Sequence, residues 1–168
     1  LAAARLEAGA VALVDLDLGR VASETVEEAR AMGAGRGVDL VPAIEGEAPV
    51  RGDATALARA AANLADNALK AAPPGTTVRV GAGRDGSWAW LAVEDRGPGV
   101  DPLSISDTGG LGLSIVRRIA EAHRGRLSVF SSEEAGSTFV VWIPAKGVDP
   151  GFGSPPDSCP LADPLARF

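Results

Sequence analysis

An α+β fold is predicted, a two-layer sandwich with about three helices on one face of a mixed, mostly antiparallel sheet. Three observations predict it. Helical periodicity occurs in three separate stretches, each bounded by glycine, proline or a capping aspartate. Two alternating runs, Thr77 to Ala82 and Ser87 to Glu94, flank Asp85-Gly86, a dipeptide suited to a tight hairpin turn. The last helical stretch is followed by two more β-prone runs, 126–131 and 137–143.

Taken in order, residues 1–10 resemble the last turns of a helix that ends at Gly9. Residues 11–16 form a short strand, and Asp17 then caps a helix whose apolar positions are Val21, Ala22, Thr25, Val26, Ala29 and Met32. Gly33 and Gly35 are expected to stop it. Residues 38–44 are a second strand, 45–47 a polar turn and 49–52 a short extended piece. Asp53 is placed to cap the next helix, which Pro73, Pro74 and Gly75 end. Residues 95–107 are punctuated by Gly97, Pro98, Gly99 and Pro102 and are read as loop. Gly109, Gly110 and Gly112 then lead into a helix with Leu113, Val116, Ile119, Ala120 and His123 on its apolar side, closed at Gly125. The organisation is therefore 1–10 as the end of an upstream helix or linker, 11–146 as one folded domain, and 147–168 as a proline- and glycine-rich tail expected to be disordered.

Composition narrows the function. The net charge of −6 offers no basic excess for a nucleic-acid backbone, so any bound anion must be held locally. A single cysteine, Cys159, excludes an intrachain disulfide framework and a cysteine-rich metal site. No apolar run reaches the ~18 residues of a membrane span.

Three stretches carry chemistry. In RAAANLADNALKAAP, residues 59–73, Asn63, Asn67 and Lys70 share one helical stripe about 60° wide, opposite Leu57, Ala61, Leu64, Ala65, Ala68 and Ala72. Asparagine competes for the backbone within a helix, so two of them at i, i+4 mark either a solvated face or a ligand-facing one. In TGGLGLS, residues 108–114, backbone N–H groups and the positive end of a helix dipole could face a phosphate; tight helix entry is the alternative. In DRGPGV, residues 95–100, the acceptor-only carboxylate of Asp95 could read an amine, with Gly97 and Gly99 allowing close approach; a turn-initiating aspartate is the alternative. Neither glycine-rich loop has the spacing of a P-loop or of a dinucleotide-binding fold.

In that order, NLADNALKAAP, DRGPGV and GLGLSIVRRIAEAHRG, with closing strands ending in GSTFVVWIP, resemble the N box and two glycine boxes of the catalytic, ATP-binding domain of sensor histidine kinases. The resemblance, to a gyrase- and chaperone-type ATPase superfamily with the Bergerat fold, spans roughly residues 11–145. It implies ATP and Mg²⁺ as cofactors. Asn67 would supply its amide oxygen to Mg²⁺, Asn63 and Lys70 would be the catalytic contacts to the phosphates, and Asp95 would accept from the adenine amine. Gly97 and Gly99 would shape the adenine pocket, and Gly110, Leu111, Gly112 and Leu113 would form the phosphate junction.

In hydrolases of that superfamily the residue one turn before Asn67 is a glutamate that activates water. Asn63 cannot serve as such a base, so phosphoryl transfer to a histidine is implied rather than hydrolysis. His123, the one histidine, is read as packing or capping, which leaves the acceptor on an upstream dimerisation segment. The implied partners are that segment and a response regulator, the implied location is the cytoplasm, and any membrane contact would come through segments outside this chain. The family's nucleotide lid is longer than the nine residues Val100 to Thr108 and carries a phenylalanine, Ala71 stands where tyrosine is common, and Thr108-Gly109 reverses a common glycine-threonine pair. Weak, exposed nucleotide binding is therefore expected. Two other readings share the boxes: a non-catalytic interaction module on the same fold, and a serine-directed kinase of the anti-sigma type.

Overall fold

The computed structural model describes residues 12–101, 110–149, 151 and 153–161. The expectations for residues 1–11 and for the lid segment 102–109 lie outside them. The chain runs β1 (Val14–Asp17), α1 (Leu18–Arg36), β2 (Asp39–Glu45), β3 (Pro49–Gly52), α2 (Ala54–Ala71), β4 (Thr77–Asp85), β5 (Trp88–Asp95), α3 (Gly110–Ala122), β6 (Arg126–Ser132) and β7 (Gly136–Pro144). The main sheet has the order β2-β4-β5-β7-β6, with β2 parallel to β4 and the other pairs antiparallel, while β1 and β3 form a separate antiparallel ribbon. The mixed sheet and the three helices match the predicted sandwich.

Local chemistry sets the boundaries. Asp17 accepts from the Gly19 N–H at 2.7 Å and Asp53 from the Ala56 N–H at 3.1 Å, each satisfying an orphan donor of a first helical turn. The stop predicted for α1 at Gly33 and Gly35 does not occur. Gly33 is inside the helix and buried because a Cβ there would lie 2.4 Å from Leu40 Cδ1; the missing side chain lets β2 pack close. The helix ends instead at Gly37 (φ 69°), whose N–H and that of Val38 close onto Ala34 and Gly33 carbonyls. Met32, expected inside, is half exposed.

The main core lies between helices and sheet. Leu57, Leu64 and Leu69 of α2, Val116 and Ala120 of α3, and Leu91, Val93 and Val141 of the sheet are essentially inaccessible to water. Each large aliphatic side chain buried in this way contributes about 1.5–3 kcal/mol.

β5 departs from simple alternation, since all its residues are buried. It is a central strand, and its sheet is covered on both faces. On the face away from the helices, Trp88, Trp90 and Trp142 form a second cluster with Ala92, Val140 and Leu161. Leu161 belongs to the tail that was expected to be disordered. Residues 153–161 have no helix or strand of their own, and Leu161 and Cys159 lie against the tryptophans. Asp157 pairs with Arg126 at 2.9 Å, Arg126 also donates to the Pro155 carbonyl, and the half-buried Cys159 thiol donates to the Leu161 carbonyl. Leu161→Ala should therefore cost about 2 kcal/mol, at the lower end for a buried leucine. A lower urea midpoint with red-shifted tryptophan emission would check this; unchanged emission would mean that the segment does not cover the indoles in solution.

Candidate functional site

α2 and α3 pack antiparallel, and His123 fixes their register. Its Nδ1–H donates to the Ile119 carbonyl (2.7 Å) and its Nε2 accepts from the Asp53 backbone N–H (3.0 Å), so the end of α3 is held at the start of α2. The imidazole is the neutral Nδ1–H tautomer in this arrangement, with both nitrogens used. This is the packing role read from the sequence, with a specific partner.

The first turn of α3 consequently faces the polar stripe of α2. A cleft of about 380 Å³ opens between them, lined by Asn63, Asp66, Asn67, Lys70, Gly110, Leu111, Gly112 and Ile115. Asn63, Asn67, Lys70, Gly110, Leu111 and Gly112 are thus brought together. Leu113 is not: its side chain is in the core, as its place in the apolar periodicity of α3 requires. Asp66 and Ile115 were missed. Asp66 was detectable as the i, i+4 partner of Lys70, and the two ion-pair at 2.8 Å.

Two details give the cleft its chemistry. The Asn63 side-chain nitrogen is buried without a hydrogen-bond partner, an arrangement that costs stability unless a ligand oxygen accepts from it. At Gly112 a Cβ would stand 3.8 Å from Asn67 Nδ2 and 4.0 Å from Asn63 Cβ, in the gap between the helices. Gly110 takes a positive φ of 63° at the start of α3. The first turn of α3, an orphan amide and an ammonium converge on one cleft, a combination suited to a phosphate or other anion.

Asp95, Gly97 and Gly99 lie beside this cleft rather than lining it. Asp95 ends β5 opposite Ser137 of β7 and is 2% exposed. Its Oδ1 accepts from the Gly97 N–H at 2.8 Å. Burial pushes its pKa above the ordinary carboxylate value; the Gly97 N–H opposes this, the Glu94 charge adds to it, and the Ser137 backbone opposes it. Glu94 points to the other face, where Arg79 holds it in a two-pronged pair at 3.0 and 2.6 Å. Gly97 abuts the end of α2, since a Cβ there would lie 2.8 Å from the Ala71 carbonyl oxygen. Gly99, at φ 82°, sits against the Ser132 carbonyl. The buried carboxylate and the anion cleft are therefore joined through the last turn of α2.

A roomier cleft of about 430 Å³ lies elsewhere, lined by Arg51, His123, Arg124 and Lys146 among others. It has less to offer. Both ring nitrogens of His123 are used, and Arg51 and Lys146 are paired with Asp15.

Fold and site together describe an α+β domain with a polar cleft suited to an anion set beside a buried carboxylate. The chain belongs to the histidine kinase-, DNA gyrase B- and HSP90-like ATPase family, whose profile matches residues 52–147. Among curated relatives, it is 29% identical over 150 residues to the sensor-like histidine kinase SenX3 of Mycobacterium tuberculosis, covering 79% of this chain and 37% of the relative. It is 32% identical over 147 residues to the adaptive-response sensory kinase SasA of a Synechococcus strain, covering 77% and 38%. The chain thus spans well under half the length of these relatives. Among solved structures, the mycobacterial sensor histidine kinase MprB superposes with a TM-score of 0.70 at 27% identity, covering 80% of this chain and 98% of that one. Full-length ShkA in complex with AMPPNP superposes with a TM-score of 0.72 at 26% identity, covering 83% and 33%. No described helix is long and apolar enough to cross a membrane.

Proposed function

We propose that this chain is the ATP-binding kinase domain of a sensor histidine kinase, positioning ATP so that its γ-phosphoryl passes to a histidine on a dimerisation segment of the same protein. The observation that carries this is the Asn63 amide, buried and unpartnered in the cleft opposite the start of α3. An amide can donate to a phosphate oxygen but cannot take a proton from water at neutral pH, which favours transfer to a nucleophilic side chain over hydrolysis. Lys70 balances phosphate charge, the first turn of α3 cradles the phosphates, and Asp95 accepts from the adenine amine. Gly97 and Gly99 hold the loop that follows Asp95 against α2 and β6.

The residues also suit Mg²⁺. Asn67, which lines the cleft, would offer its amide oxygen to such an ion, which would otherwise take phosphate oxygens and waters. When bound it neutralises charge on the phosphates. The relatives named above are sensor kinases, which supports a response regulator as the next phosphoryl acceptor and a cytoplasmic setting.

Gly112→Ala tests the site. The added methyl has room in the protein and improves helix propensity by about 1 kcal/mol, yet it fills the gap between the asparagines. Calorimetry with Mg-ATP should show affinity falling tenfold or more while the melting temperature is kept or raised. If the unaltered chain gives no heat at millimolar Mg-ATP, the non-catalytic interaction module becomes the better reading.

A further inference from the structure

Asp66 carries a further role, one that rests on the nucleotide reading above. We infer that its carboxylate makes the cleft select nucleotide carrying a divalent cation over the bare nucleotide. Asp66 lines the cleft, immediately precedes Asn67, and pairs with Lys70 at 2.8 Å, both side chains being substantially exposed. So open a pair holds the ammonium only loosely and can release it to an entering anion. The orphan Asn63 amide, one turn earlier on the same stripe, marks where that anion arrives.

The effect of the carboxylate then depends on what enters. A bare triphosphate draws Lys70 away and leaves Asp66 facing a concentrated negative charge, which repels it. With Mg²⁺ held at the neighbouring Asn67, the same carboxylate faces a dication, which it attracts directly or through one of the ion's waters. One side chain therefore penalises the first form and favours the second. Asp66 is a specificity-determining residue in this account, acting through charge at the phosphates rather than on the reacting atoms.

The experiment is calorimetric titration of the full chain with ATP in excess EDTA and with ATP in excess Mg²⁺, for the unaltered protein, Asp66→Asn and Asp66→Glu. Asp66→Asn should bind bare ATP more tightly and Mg-ATP more weakly, lowering the ratio of the two dissociation constants about tenfold. Asp66→Glu, which still reaches Lys70 one turn on, should keep the ratio. A merely structural ion pair predicts something else: both affinities shifting together with the ratio unmoved, and that result would overturn the role of Asp66 while leaving the nucleotide reading intact. No binding of either form by the unaltered chain would remove both.

Discussion

On the proposed nucleotide reading, Asp95→Asn should weaken ATP binding about a hundredfold and at the same time stabilise the nucleotide-free domain. Oδ1 is already taken by the Gly97 N–H, so asparagine keeps that bond and turns its NH₂ toward the adenine amine, donor against donor. Losing a charge-assisted bond and leaving donors unpaired costs about 2–3 kcal/mol, roughly a hundredfold in affinity. GTP should improve relative to ATP, because the new NH₂ can donate to a guanine carbonyl. Stability moves the other way. Burial raises the Asp95 pKa above its ordinary value of 3.8, so the folded state binds this proton more tightly than the unfolded one. The stability from that proton is fully present below 3.8 and is lost as pH rises through the higher folded value. Asparagine, which has no charge to bury, should therefore melt higher than the unaltered protein at pH 7, with the gap closing as the solution is acidified toward the carboxylate range. Parallel melting curves and ATP titrations check both halves.

Gly136→Ala should be the most damaging small substitution near the site. Gly136 begins β7 at φ 82°, and a Cβ there would stand 2.1 Å from the Asp95 carbonyl oxygen and 2.9 Å from Arg96 Cα. The left-handed backbone costs an alanine about 1–2 kcal/mol, and a clash with main chain costs about 1–3 kcal/mol more. The expected loss of about 3 kcal/mol corresponds to a fall in melting temperature of roughly 10 °C for a domain of this size. The atoms forced to move carry the Asp95 carboxylate proposed to read adenine, so ATP affinity should fall even at temperatures where the variant remains folded. Circular dichroism melts combined with calorimetry would show it.

The polar stripe of α2, the two capping aspartates and the β4–β5 hairpin were readable because each is a local pattern with one physical cause, although the turn falls on Gly86 and Ser87 rather than on Asp85-Gly86. What escaped depended on contacts distant in sequence. Gly33 looks like a helix stop, but whether a glycine takes a positive φ is decided by the neighbour, and here Leu40 needs the space. The run from Ser87 to Glu94 reads as an alternating strand, but every residue of β5 is buried, and the cover on its second face, Leu161, sits in a proline-rich stretch without periodicity. Leu113 was assigned to the phosphate junction although its spacing with Val116 and Ala120 already pointed to the core. Asp66 is the opposite case: its pairing with Lys70 was visible at i, i+4 but was passed over for the asparagines around it.

The central claim is that an amide at position 63 directs the γ-phosphoryl to a histidine rather than to water. It is tested most directly by incubating the chain with γ-labelled Mg-ATP, with and without the dimerisation segment of its own protein, and following label on protein and label released as inorganic phosphate. The account predicts acid-labile, base-stable label on the segment's histidine, dependent on Asn63 and Asp95, and negligible phosphate release by the chain alone. Rapid phosphate release without any acceptor, or ATP bound beside an unlabelled histidine, would contradict it.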